Sequence, residues 1–233
     1  MKLVILGAGE SGIGTAILGK QKGYDVFVSD KGAIAKKYKE VLLNNEIEFE
    51  EEQHSEEIIL NADVVMKSPG IPDKVPLVKQ LKEKGIPVIS EIEFASKFSK
   101  SVIVGITGSN GKTTTTMLVN HILKKAGLNV GMGGNIGKSF AQQVAEDNFD
   151  IQVLELSSFQ LDGMYDFKAD VAVLLNITPD HLDRYEYKFE NYIASKFRMA
   201  MNHTKADYLI YDTDDEVITD WLKAHPVQST LLP

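Results

Sequence analysis

An α/β chain of two successive parallel-sheet domains is the fold class the sequence predicts, and three observations predict it. The apolar run Lys2–Leu6 opens directly into Gly7-Ala8-Gly9-Glu10-Ser11-Gly12, and a second apolar run at residues 102–106 opens into GITGSNGKTTTT at 105–116. Between and after these loops, short apolar runs alternate with helical patterns, as βαβ units do. A length of 233 residues is sufficient for two compact cores. The boundary is expected near residue 97, giving domains of 1–97 and 98–233.

Composition narrows the setting. Hydrophobic content of 43% with 25% charged residues describes a globular chain. A net charge of -8 argues against a broad nucleic-acid or anionic-membrane surface, so an anion must be held locally against the overall field. The absence of cysteine excludes disulfides and thiolate metal sites and fits a reducing compartment. The N-terminal apolar run is too short for a signal peptide, and no stretch approaches the roughly 18 apolar residues of a membrane span. The expectation is a cytoplasmic protein with no nucleic-acid or membrane partner.

In the first domain, Lys2–Leu6 reads as a buried strand, followed by a helix to about residue 22 and a strand Asp25–Ser29 that delivers Asp30. This is a Rossmann-like opening: the glycines permit the tight turn, close backbone approach to a phosphate, and helix–strand packing. NAD, FAD and UDP-sugars can all use such a helix N-terminus, and Asp30 could meet a ribose or a base. Residues 46–57 carry seven Glu and one His and read as a solvated helix or loop face. A strand at 62–66 ends in Lys67-Ser68-Pro69-Gly70-Ile71-Pro72, where the prolines force a turn at a sheet edge. A helix at 76–84 and a strand at 87–89 complete the series.

In the second domain, residues 105–116 form a phosphate cradle of the P-loop type between strand and helix. Gly108, Ser109, Asn110, Gly111, Lys112, Thr113 and Thr114 make the loop and the helix start. Lys112 can reach terminal phosphates, and Thr113 can offer a hydroxyl to Mg2+. The pattern departs from GxxxxGK[ST] at one position, with Ile106 in place of the first glycine and Gly105 one residue early. Residues 130–137, VGMGGNIG, read as a flexible loop with one amide, Asn135. The strand Ile151–Glu155 ends in a carboxylate that could complete a Mg2+ shell, before Ser157, Ser158 and Gln160. A strand at 171–175 then runs into Asn176-Ile177-Thr178-Pro179-Asp180-His181-Leu182-Asp183-Arg184-Tyr185, read as a second catalytic corner. Residues 189–201 are expected to be helical; composition gives no reason to single out Lys196 within them. A strand Tyr208–Tyr211 and a helix Glu216–Ala224 close the pattern.

Taken together, TGSNGKTT, GGNIG, ELSSFQL, TPDHLDRY and YIASK, behind GAGESG and KSPGIP, resemble the Mur ligases of peptidoglycan synthesis. ELSSFQL and HLDRY are most similar to the branch that joins D-glutamate to UDP-N-acetylmuramoyl-L-alanine. The resemblance implies an ATP-dependent amide-bond ligase working through an acyl phosphate. It also implies roles: Lys112, Glu155, His181 and Lys196 catalytic; Thr113 and Glu155 on one Mg2+; His181 and a carbamylated Lys196 on a second. Asn135, Ser157, Ser158 and Gln160 would face the muramoyl substrate. Gly9, Glu10, Ser11, Asp30, Lys31, Ser68, Pro69 and Gly70 would line a UDP site, replacing the NAD reading of the first loop.

Members of that family carry a C-terminal domain and a longer central domain, so the resemblance implies an N-terminal fragment with an incomplete, inactive ATPase domain. Two rivals remain: a non-catalytic nucleotide-binding module, with no need for His181 and Lys196, and an NAD-dependent oxidoreductase, with tight NADH binding at Gly7 to Gly12.

Overall fold

The computed structural model describes residues 1–233. They form two units, Met1–Ser99 with Lys138–Asp147, and Lys100–Gly137 with Asn148–Pro233.

The first unit alternates strand and helix: β1 (Lys2–Leu6), α1 (Glu10–Gln21), β2 (Asp25–Ser29), α2 (Lys36–Asn44), β3 (Glu48–Glu50), α3 (Glu56–Ile59), β4 (Val64–Lys67), α4 (Pro76–Glu83), β5 (Val88–Ile89) and α5 (Glu91–Ser96). The sheet is parallel in the order β3-β2-β1-β4-β5. Central β1 is apolar without alternation because both its faces are covered; Leu3, Val4, Ile5 and Leu6 are all buried. From β1 the chain steps to β2 on one side and later to β4 on the other. The loops after β1 and β4 therefore meet at a topological switch point, where open α/β sheets bind ligands.

The second unit contains β6 (Val102–Thr107), α6 (Lys112–Lys125) and β7 (Val130–Gly134). After α7 (Phe140–Glu146) it resumes with β8 (Ile151–Glu155), α8 (Ser158–Leu161), β9 (Val171–Leu174), α9 (Phe189–Phe197), β10 (Tyr208–Tyr211), α10 (Glu216–Ala224) and β11 (Thr230–Leu232). Its parallel sheet runs β11-β10-β9-β6-β8-β7. Ile106, Val130 and Val153 form a core to which Val119 and Leu123 of α6 are packed. Gly105, the displaced glycine of the loop motif, is a packing residue: a Cβ there would lie 3.1 Å from Leu156 and 3.3 Å from Ala169.

Four expectations change. Residues 130–134 are a strand, not a flexible loop, because their backbone pairs with β8 along its whole length. The glycines serve that pairing, since a Cβ on Gly134 would sit 2.2 Å from the Glu155 carbonyl oxygen. The acidic stretch 46–57 is not merely a solvated face: β3 adds to the sheet edge, Glu50 accepts from Ser29, Ser55 and Gln53, and Glu51 accepts from Lys39 and the Ile34 amide. The helix at 189–201 is α9 to Phe197 followed by a 3-10 turn, Arg198–Ala200. Finally, a single cut near residue 97 does not separate the units, because α7 packs on α1 and α5.

Candidate functional site

In the first unit the loop after β1 is shaped by glycine. Gly7 has φ +96, and a Cβ there would strike Ser68, which follows β4. A Cβ on Gly12 would lie 1.9 Å from the Gly7 carbonyl oxygen, whereas at Gly9 nothing stands within 4 Å. Gly9 is also the N-cap of α1 and supplies no capping side chain. The first-turn amides of α1 thus border an open space that suits a phosphate. Ser11 lies in that turn, its carbonyl accepting from Thr15 at 2.8 Å, and Glu10 accepts from Tyr38 at 3.0 Å. Ser68, Pro69 and Gly70 form the facing turn, closed by the Ile71 amide on the Ser68 carbonyl.

Asp30 is an anchor of this rim. Its carboxylate accepts from the Ala8 amide at 2.7 Å and the Gly32 amide at 2.8 Å, tying the end of β2 to the glycine loop and shaping the turn that exposes Lys31. Asp30→Ala should therefore destabilise the first unit by about 1–3 kcal/mol, as two charge-assisted bonds are lost, partly to water. Urea unfolding should show the loss as a lower midpoint at unchanged slope.

In the second unit, the loop between β6 and α6 is tied to the segment after β9. The Ser109 and Asn110 amides donate to the carbonyl and side-chain oxygens of Asn176, and Ser109 Oγ exchanges bonds with the Thr178 backbone. Gly111, at φ +81, turns the chain into α6. Lys112 Nζ donates to the carbonyls of Gly108 and Ser109 at 2.9 Å each, curled over the cradle it would share with a phosphate. Thr114 is exposed on the first turn of α6.

Glu155, buried at the end of β8, accepts from Thr113 Oγ1 at 2.7 Å on one oxygen and from Asn135 Nδ2 at 2.8 Å on the other. A buried carboxylate and a hydroxyl at the phosphate loop are hard oxygen donors of the kind Mg2+ takes alongside phosphate and water. No group of three or more His, Cys, Asp or Glu side chains stands ready to hold a metal alone. The residues thus fit an ion completed by nucleotide oxygens at Thr113 and Glu155; at His181, a second ion would require Lys196 to change its chemistry.

A cavity of about 180 Å³ gathers Lys112, Asn135, Ser157, Ser158, Phe159, Asp180, His181, Tyr192 and Lys196. His181 takes a left-handed backbone (φ 50), uncommon for a side-chain-bearing residue, and its ring lies 5.0 Å from Phe159. Asp180 Oδ1 accepts from the His181 amide at 2.8 Å. Lys196 is 1% exposed, 4.7 Å from the Tyr192 ring, and donates to the Gly108 carbonyl at 2.8 Å. Burial, with the charge of Lys112 next, pulls its amine down to about 7. Half of its molecules are then neutral amines near neutral pH, able to act as nucleophiles.

Of the residues expected to act here, Thr113 and Glu155 lie outside the cavity lining, and so does Gln160. It is buried and forms a capping box with Ser157, accepting from the Ser157 amide and hydroxyl at 3.0 Å, so it orients Ser157. Three further lining residues, Tyr192, Phe159 and Asp180, lie in motifs read from the sequence but are given no role of their own there. Tyr192 precedes Lys196 by four residues, the spacing that puts both on one helix face; it also bonds Ser109 at 3.2 Å.

A family model described as the Mur ligase middle domain matches residues 106–231, and one described as the MurD N-terminal domain matches residues 2–75. UDP-N-acetylmuramoylalanine--D-glutamate ligase of Christiangramia forsetii is 68% identical over 232 residues, covering 100% of this chain and 52% of the relative. The protein of the same name from Bacteroides fragilis is 57% identical with the same coverage. The chain therefore spans about half the length of the curated relatives it matches. Among solved structures, the UDP-N-acetylmuramate:L-alanyl-gamma-D-glutamyl-meso-diaminopimelate ligase from Neisseria meningitides is similar at TM-score 0.67 and 20% identity, over 99% of this chain and 77% of its own. UDP-N-acetylmuramate-alanine ligase from Thermotoga maritima is similar at TM-score 0.59 and 21% identity, over 94% and 51%. These two share the fold. No helix is long and apolar enough to cross a membrane.

Proposed function

The chain belongs to the Mur ligase family, and from that premise we propose that the full-length enzyme carrying it joins D-glutamate to UDP-N-acetylmuramoyl-L-alanine at the expense of ATP in the cytoplasm. One observation carries the reading: a single cavity beside the phosphate loop collects Lys112, Asn135, His181 and Lys196. A non-catalytic nucleotide module would have no use for a buried lysine there.

In the proposed reaction, the substrate carboxylate attacks the γ-phosphorus of ATP and the bond to the β,γ-bridging oxygen breaks, releasing ADP and leaving an acyl phosphate. The amine of D-glutamate then attacks that carbonyl, phosphate leaves, and an amide with one released proton remains. Phosphoryl transfer asks mainly for positioning and charge neutralisation. The loop residues Gly108, Ser109, Asn110, Gly111, Thr113 and Thr114 would cradle the phosphates, and Lys112 would exchange its two loop carbonyls for their oxygens. Bound Mg2+ would neutralise charge accumulating on the phosphates; Thr113 and Glu155 would hold one ion.

The neutral amine of Lys196 is suited to add to carbon dioxide, forming an N–C bond and releasing a proton. The resulting carbamate would be an oxygen ligand that could share a second ion with His181. Asn135, Ser157 and Ser158 would orient the carboxylate being phosphorylated, and Gln160 would hold Ser157. In the first unit, the open α1 amides with Gly9, Glu10 and Ser11 would take the diphosphate. Asp30, Lys31, Ser68, Pro69 and Gly70 would form the rim around the rest of the nucleotide.

The 233 residues alone are proposed to bind UDP-N-acetylmuramoyl-L-alanine without ligating it. Calorimetric titration of this chain should show saturable heat with that compound and none with NADH. Full-length enzyme should release ADP continuously only when both the UDP-substrate and D-glutamate are present, and no more than one ADP per enzyme when D-glutamate is left out. Heat with NADH alone would favour an oxidoreductase, whereas nucleotide binding with no ADP release would favour a non-catalytic module.

A further inference from the structure

Parallel sheets are normally covered by helices on both faces, yet one face of the second unit's sheet is only half covered. α6 packs over β6, β7 and β8, on the face where Ile106, Val130 and Val153 meet Val119 and Leu123. It links β6 to β7 in one direction along the sheet, whereas the steps from β8 to β9, β9 to β10 and β10 to β11 all run in the other. Right-handed crossovers therefore put α8, α9 and α10 on the opposite face. Exposure follows that division. Ile106 pairs with Val173 and Val173 with Ile210, so all three share the face of α6, as do Val171, Tyr208 and Leu232. Tyr208 is 43% exposed, Ile210 36% and Leu232 41%, while Leu209, between the first two and on the other face, is 0%.

α6 continues this bare strip. One flank of the helix lines a cavity with Met117, His121 and Met132 of β7. Leu118 and Ile122, one turn apart on the other flank, are each 54% exposed. Single apolar side chains on a surface are ordinary, but a contiguous strip of them on a parallel sheet beside an apolar helix flank marks an interaction surface. We infer that in the full-length protein this surface is internal, covered by a helical segment from the part of the chain that follows residue 233. Two observations name that occupant. The curated relatives match this whole chain with 52% of their own length, and the model that matches from residue 2 is an N-terminal one, so their additional length follows the shared part. Leu232 of β11 pairs with Ile210, so a continuation begins beside the bare strip and needs only a short connection to reach it. A helix laid there alongside α6 would complete the second layer that a parallel sheet requires.

None of this depends on the reaction proposed above. The test takes full-length protein carrying I122C on α6 or I210C on β10; residues 1–233 hold no native cysteine. Each introduced thiol should react with iodoacetamide about a hundredfold more slowly than an unstructured cysteine peptide, because it is reached only through local opening. Reaction close to the peptide's rate would overturn the inference, since the face would then be open to water. Protection that is lost on dilution would also overturn it, by assigning the face to a second copy. Photo-leucine incorporated for leucine should cross-link position 118 to residues beyond 233 of the same molecule; cross-links only to residues 1–233, or between isotopically light and heavy copies, would overturn it. If either cysteine variant is unfolded by circular dichroism, the other variant and photo-leucine, which is close to leucine in size, decide the outcome.

Discussion

Replacing Lys196 by methionine is expected to abolish ligation while raising the thermal midpoint. The amine is buried under the phosphate loop and held at about 7 rather than its ordinary 10.5. Its folded pKa is depressed, so between pH 7 and 10.5 the unfolded chain binds more protons than the folded one. Stability therefore rises with pH across that window and carries the full cost below it. At neutral pH the cost is on the order of 4 kcal/mol, since each tenfold loss of proton affinity on folding is worth about 1.36 kcal/mol. Methionine fills similar space without a charge, at the loss of one bond to the Gly108 carbonyl, which also accepts from Lys112. Calorimetry of the 233-residue chain at pH 7 should show a midpoint rise of roughly 5 °C, shrinking toward pH 10. Full-length K196M should form no detectable product. A midpoint that falls at pH 7 would show that the buried amine stabilises the fold.

Lys112→Ala should reduce turnover of the full-length enzyme by about 10³, the scale for deleting a preorganised charge or donor at a phosphoryl transition state. It should also do something that a lost phosphate contact alone would not. Lys112 is the second-largest cause of the depressed Lys196 pKa, after burial. Without that like charge, Lys196 titrates higher, so residual activity that needs its neutral amine moves to more alkaline pH. The pH–rate profiles of wild type and K112A decide this. Superimposable acidic limbs would mean that the two lysines do not communicate. Arginine at 112 should keep the limb in place, since it keeps the charge, while losing turnover through its different shape.

Much of this architecture is legible in the sequence because buried parallel strands are short apolar runs and phosphate loops require glycine. β1, β2, β6 and β8 are read for that reason, as are Gly9, Lys112 and Thr113. The rest depends on contacts between distant residues. β3 is mostly glutamate and β7 mostly glycine, so neither carries an apolar pattern; each is a strand because a neighbour offers it a ladder. Lys196 is an unremarked lysine in its helix until α9 is laid beneath the Gly108 carbonyl. Gln160 invites a place at the substrate because it lies two residues beyond Ser158, but its carbonyl oxygen turns back to Ser157. Glu91 has no sequence signal at all, since the amides it holds lie at the start of α7.

The placement of Lys138–Asp147 in the first unit sets the order in which this protein can be made. Chains emerge N-terminus first and domains usually close as units. Here the first unit lacks α7 until about 147 residues exist, by which time β6, α6 and β7 have already been synthesised. Glu91 waits as a carboxylate without its amides, and the faces of α1 and α5 stay wet, while the phosphate loop is produced. Maturation is thus interleaved rather than sequential. A gene cut at residue 97 would yield an unfinished product, and a useful dissection must carry the later ten residues along with the early ones.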